Sequence, residues 1–145
     1  MNRFLLLLVF CTQIVVADEL KPLTTDGCSS FPNGTLEQKS LWVNCCIRHD
    51  LAYWKGGTYE ERLQADLSLE QCVAMVGEPR VAKLMLAGVR VGGSPYWPTT
   101  YRWGYGWSYL RGYQSLSRAE KSQVEQQLTQ FELMIRSIKD EILSR

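Results

Sequence analysis

Two adjacent cysteines, Cys45 and Cys46, stand just ahead of His49 and Asp50, and His49 is the only histidine in the 145-residue chain. Neighbouring cysteines pair with each other only under strain, so each must be tied to a distant partner. Cys28 and Cys72 are the candidates, and four cysteines permit three connectivities. The hydrophobic pattern predicts a helix from about Leu36 to Trp54, stopped by Gly56 and Gly57. A second helix is predicted from Thr58, whose Thr-x-x-Glu capping box closes on Glu61, to Gly77. So short a connection makes the two helices antiparallel, and facing residues then share a nearly constant index sum. Cys45 with Cys72 and Ala52 with Ala65 both sum to 117, and His49 with Asp66 to 115. If Cys45 faces the second helix, Cys72 is its partner. Cys46 points about 100° away and takes Cys28. Asp50 lies one turn beyond Cys46, so that bond brings the loop around Asp26–Gly34 beside its carboxylate.

The fifth cysteine, Cys11, belongs to the opening MNRFLLLLVFCTQIVVADE, a short basic start followed by an apolar run. Thr12 and Gln13 interrupt the run, which is too short to span a bilayer. It reads as a secretory signal, residues 1–17, cut after Ala17. A lipoprotein anchored at Cys11 is the other reading, and bulky Phe10 before that cysteine argues against it. The remaining residues, 18–145, are one domain with a modest core. A secreted or periplasmic location follows, and four cysteines in such a compartment read as two disulfides. A Cys/His zinc site is the alternative, without any Cys-x-x-Cys pair to support it. Loss of Arg3, one of 16 basic side chains, balances the mature chain against its 15 acidic ones. That neutrality argues against nucleic acid as a partner, and gives little pull towards anionic membranes.

Further along, an apolar helix is predicted from Pro79 to Gly92-Gly93, followed by the aromatic segment SPYWPTTYRWGYGWSYLRGY. A last helix starts at Ser117, again with a capping box, to Glu120. Its Val124, Leu128, Phe131, Ile135, Ile138 and Ile142 step by three and four and predict one buried face. No strand pattern or repeat is present. The expected fold is all-α: a disulfide-linked antiparallel helix pair with additional C-terminal helices. Tyr96, Trp97, Trp103 and Trp107 are expected mostly to cover the core, with a membrane interface as the alternative use of such rings.

A carboxylate on one imidazole nitrogen fixes the tautomer and leaves the other nitrogen as a general base. His49 and Asp66 are the pair for that task. No Gly-x-Ser-x-Gly elbow is present, so water is the expected nucleophile. Asp50 and neighbouring loop carbonyls make a hard oxygen set suited to calcium, which can polarise an ester carbonyl. Each residue also has a plainer reading. His49 and Asp66 make a satisfied buried polar pair, Arg62 one turn earlier neutralises Asp66, and Asp50 is an exposed helix carboxylate. Their joint placement with the cysteines favours metal-assisted ester hydrolysis.

The stretches CCIRHDLAY, Cys45 to Tyr53, and ADLSLEQC, Ala65 to Cys72, resemble the secreted phospholipases A2. The resemblance covers about a third of the chain, from Asp26 to Val73. It implies a helix pair of phospholipase A2 type, with His49 as base, Asp50 as the calcium carboxylate, and Tyr53 and Asp66 completing the catalytic set. It implies calcium ligation by the carbonyls of Gly27, Ser29 and Phe31, with Asn33 or Gly34 as substitutes. Two departures stand out. The family's extra disulfide between the two helices is replaced by Ala52 and Ala65, both halves together. Its calcium-loop glycines are replaced by Ser29 and Phe31. The implied activity is calcium-dependent hydrolysis of the sn-2 acyl ester of a glycerophospholipid, at a membrane interface. The rival is a non-catalytic secreted binding or structural protein on the same scaffold.

Overall fold

The computed structural model describes residues 18–144, so the expected signal segment lies outside the described residues. Among the described residues there are four helices and no strand: α1 Val43–Lys55, α2 Tyr59–Met75, α3 Pro79–Gly92 and α4 Arg118–Leu143. None of them is long and apolar enough to cross a membrane. The disulfides are Cys28–Cys46 and Cys45–Cys72, as the facing stripes predict. Among the described residues all four cysteines are thereby bonded, which leaves none of them as a thiolate for zinc.

α1 begins at Val43 rather than near Leu36. Thr35 takes the Gln38 amide on its hydroxyl and donates its own amide to the Gln38 carbonyl, so the chain turns locally instead of winding. Trp42 then closes the loop, with its amide on the Asn33 carbonyl and its indole N–H on the Pro32 carbonyl. Both capping boxes form as read, Thr58 with Glu61 and Ser117 with Glu120. The contacts Cys45–Cys72, His49–Asp66 and Tyr53–Arg62 show that α1 and α2 run antiparallel. α3 folds back along α2, and Leu69, Val73, Ala82 and Met85 join Trp42 and both cysteines of α1 in one core cluster.

The aromatic segment divides between the two readings. Trp103 and Trp107 are buried, whereas Tyr96 and Trp97 are more than half exposed. The buried indoles act as a cap. Trp107 donates to the Lys55 carbonyl and Trp103 to that of Gly57, while the amides of Gly104 and Gly106 reach Tyr53 and Trp54. The C-terminal carbonyls of α1, which have no helical partner, are thus satisfied from across the fold. Gly106 is required there, since a Cβ would lie 2.6 Å from the Trp54 carbonyl oxygen.

α4 corrects an expectation. Val124 packs with Leu20, Trp54 and Trp107, and Leu128 is partly covered. Phe131, Ile135, Ile138 and Ile142 are 45–68 % exposed instead of buried. A helix of 26 residues is roughly 39 Å long, and only its first turns meet the body of the domain. Those turns are pinned by Glu120, whose carboxylate accepts from Arg111 and from the Ser117 amide. The Arg111 hydrogen bond, opposed by burial and aided by Ser117, holds the Glu120 carboxyl down at about 2 from an ordinary 4.5. A carboxyl depressed in the folded state stabilises above its unfolded value and loses that contribution as pH falls through the folded one. Thermal melts between pH 6 and pH 2 should therefore steepen below about 4.5 in the wild type. Glu120→Gln should lower the melting temperature at pH 6 and flatten that decline. Parallel curves for the two proteins would refute the role given to Glu120.

Candidate active site

α1 and α2 bring His49 and Asp66 together inside the hairpin. His49 Nε2 lies 2.9 Å from Asp66 Oδ1, and Asp66 is fully buried. Tyr53, one turn after His49, donates its hydroxyl to the same oxygen at 2.7 Å, with its ring 4.2 Å from the imidazole. Arg62 does more than the simple salt bridge considered for it. Its Nε is 3.7 Å from Asp66 Oδ2 and hydrogen-bonds the Tyr53 hydroxyl at 3.0 Å, its Nη2 donates to both the Val89 and Arg90 carbonyls, and its Nη1 donates to the Tyr113 hydroxyl. The closest cation to Asp66 is Arg90 of α3, whose Nη1 is 2.7 Å from Oδ2.

Burial alone would push the Asp66 carboxyl up, but hydrogen bonds from His49, Tyr53 and Arg90 outweigh it and hold the group below the usual carboxylate range. An ionised Asp66 accepts a proton-bearing Nε2, which in the neutral imidazole places the lone pair on Nδ1. Burial and the Asp66 charge push the Tyr53 hydroxyl the other way, so it stays protonated as a donor. Behind it, Gly93 lets the Tyr53 ring approach, since a Cβ there would meet the hydroxyl at 2.5 Å.

His49 opens onto a cavity of about 340 Å³, the size range of small-molecule sites. Asp50 and the loop residues Gly27, Ser29 and Phe31 line the same cavity, as the Cys28–Cys46 bond requires. Its remaining wall is apolar: Leu69 from α2, Leu84, Met85 and Val89 from α3, and Tyr101. Gly88 and Gly92, one turn apart on α3, place no side chain in this space.

The loop is held by side chains where glycines were missing from the sequence. Asn33 Oδ1 accepts from the Cys28 amide, and Ser29 donates to Asp26. Ser29 and Ser30 adopt φ of 33° and 60°, a conformation that non-glycine residues rarely take, beside Gly27 at 84°. The Asn33 carbonyl is engaged by Trp42, and Gly34 is not part of the cavity lining, so neither substitute ligand is favoured. Among the described residues, the Gly27, Ser29 and Phe31 carbonyls receive no hydrogen bond. No cluster of three His, Cys, Asp or Glu side chains stands together among these residues, so a cation here would take most of its oxygens from the backbone. Asp50 fits that use. Burial pushes its carboxyl up to about 6, against the lowering effect of the Thr25 hydroxyl at 2.6 Å and of His49. A half-buried carboxylate with no cationic side chain bonded to it is stabilised by a bound cation.

No family model, curated protein or solved structure matches the chain.

Proposed function

We propose that the protein is a secreted, phospholipase A2-like hydrolase that cleaves the sn-2 acyl ester of glycerophospholipids with calcium. The observation that carries this reading is the convergence on one cavity of a carboxylate-oriented imidazole and a half-buried carboxylate beside unpaired carbonyls. His49 Nδ1 takes a proton from a water in the cavity as that water attacks the ester carbonyl, and the imidazolium returns the proton to the sn-2 oxygen of the leaving lysophospholipid as the acyl C–O bond breaks. Asp66 holds the imidazole in the required tautomer and stabilises the imidazolium, and Tyr53 keeps Asp66 in place. Asp50 and the carbonyls of Gly27, Ser29 and Phe31 would hold calcium. When bound, calcium supplies positive charge at the developing oxyanion. The apolar wall formed by Leu69, Leu84, Met85 and Val89 suits an acyl chain.

The test is fatty acid release from mixed phospholipid vesicles, in calcium and in chelator. Release that stops with the chelator supports the whole reading. Equal release in both removes calcium from it, and release in neither favours the non-catalytic scaffold. Asp50→Asn should abolish the rise in melting temperature on adding calcium and should reduce turnover together with it. A calcium-induced shift that survives this substitution would place the ion elsewhere.

A further inference from the structure

The exposed half of α4 carries a pattern that its own domain does not use. Val124, Leu128, Phe131, Ile135, Ile138 and Ile142 alternate steps of four and three, a 3.5-residue period that winds helices into a left-handed coil. The first two layers pack on the body, and every residue from 129 to 144 is exposed. Four apolar layers, Phe131 to Ile142, therefore lack a partner among the described residues.

Charge identifies the occupant. Residues 129–143 hold two basic side chains, Arg136 and Lys139, against acidic Glu132, Asp140 and Glu141. A helix that lies on lipid is typically rich in Lys and Arg on its polar face, and this one has no basic excess. Glu132 and Lys139 occupy successive positions of the same heptad flank. Neither has an ion-pair partner among the described residues. When two such helices run antiparallel and pair only their free layers, Phe131 meets the partner's Ile142 and Ile135 meets the partner's Ile138. In that register Glu132 faces the partner's Lys139, twice by symmetry. A parallel pair instead sets Lys139 against Met134, with no charge match. Shifting the antiparallel register to include Val124 and Leu128 also sets Lys139 against the partner's Glu125, but it sets Glu132 against itself, a like-charge contact that the first register lacks. The register chosen by exposure is the one chosen by charge.

We propose that residues 131–142 of α4 form an antiparallel two-helix contact with the same segment of a second copy of this chain. The two bodies then lie at opposite ends of the contact, and neither site cavity is involved, since α4 contributes no residue to it. Sedimentation equilibrium of the mature, oxidised protein from about 1 µM to 1 mM tests this. A concentration-dependent monomer–dimer equilibrium is expected. Ile135→Glu should abolish it with an unchanged circular dichroism spectrum, because Ile135 is exposed in the single chain. Glu132→Lys or Lys139→Glu alone should weaken the dimer about tenfold, and the double reversal should restore it. The two residues are seven apart on one helix, so rescue reports a contact between chains. A monomer at every concentration overturns the proposal, as does a dimer that Ile135→Glu leaves intact. Dimerisation without rescue by the double reversal overturns the antiparallel register. A monomer that binds phosphatidylcholine vesicles until Ile135→Glu is introduced overturns it in favour of lipid.

Discussion

Replacing His49 with Gln should lower turnover by about a hundred- to ten-thousand-fold, the usual worth of a general base, while calcium binding survives. Gln has similar reach, and its amide can donate to Asp66 Oδ1 where Nε2 now stands 2.9 Å away. Tyr53 and Arg90 continue to satisfy Asp66, so the buried carboxylate is not orphaned. Asp50, the loop and the Cys28–Cys46 bond are untouched, so the melting temperature should still rise with calcium. What disappears is the Nδ1 lone pair. The measurement is initial fatty acid release from vesicles beside thermal melts with and without calcium. Near-wild-type hydrolysis would remove His49 from the base role. A loss of both turnover and the calcium response would mean that the substitution had disturbed the loop rather than the chemistry.

The residues of this site were legible where a local rule set their geometry. A three-residue connection and a 3.6-residue period place Cys45 opposite Cys72 and His49 opposite Asp66, and both contacts form. The capping boxes fix two helix starts in the same local way. The start of α1 was not legible, because Thr35 and Gln38 prefer a turn that apolar periodicity does not register. The exposed end of α4 was missed for a different reason. Periodicity identifies an apolar face but not what covers it, and a face meant for another chain reads the same as one meant for the core. Bulk alone points Trp103 and Trp107 to the core, whereas their capping of α1 rests on contacts some fifty residues away in sequence.

Arg90 is the instructive omission, because its signal was available. Val76–Glu78 is as short a connection as the one before it. Facing residues of α2 and α3 should therefore share an index sum near 154; Asp66 and Arg90 sum to 156, within half a turn of it, and the contact forms. The consequence is a site whose aspartate answers to two arginines as well as the imidazole, so a change at Asp66 disturbs all three at once. Asp66→Asn presents an amide NH₂ either to Arg90 or to His49 and Tyr53, so donor meets donor in both orientations. In the second orientation the imidazole must turn its lone pair towards Asn, which takes the base away from the cavity. Breaking a buried pair in this way costs about 3–5 kcal/mol, reduced here because Arg90 is a quarter exposed and can turn to water. Turnover should fall at least a hundredfold, together with a lower melting temperature. Arg90→Met separates the two effects. It keeps the Asp66 carboxylate on His49 but removes one of the hydrogen bonds that hold it ionised, so burial raises the carboxyl towards neutrality. A carboxyl depressed in the native state stabilises above its unfolded value, and that contribution is lost as pH falls through the folded one. With Arg90 gone the loss begins at a higher pH. The acid side of the turnover profile should therefore move up in Arg90→Met, with activity retained near neutrality. A lower melting temperature at every pH with an unmoved profile would make Arg90 a prop of the fold and leave the ionisation of Asp66 to His49 and Tyr53.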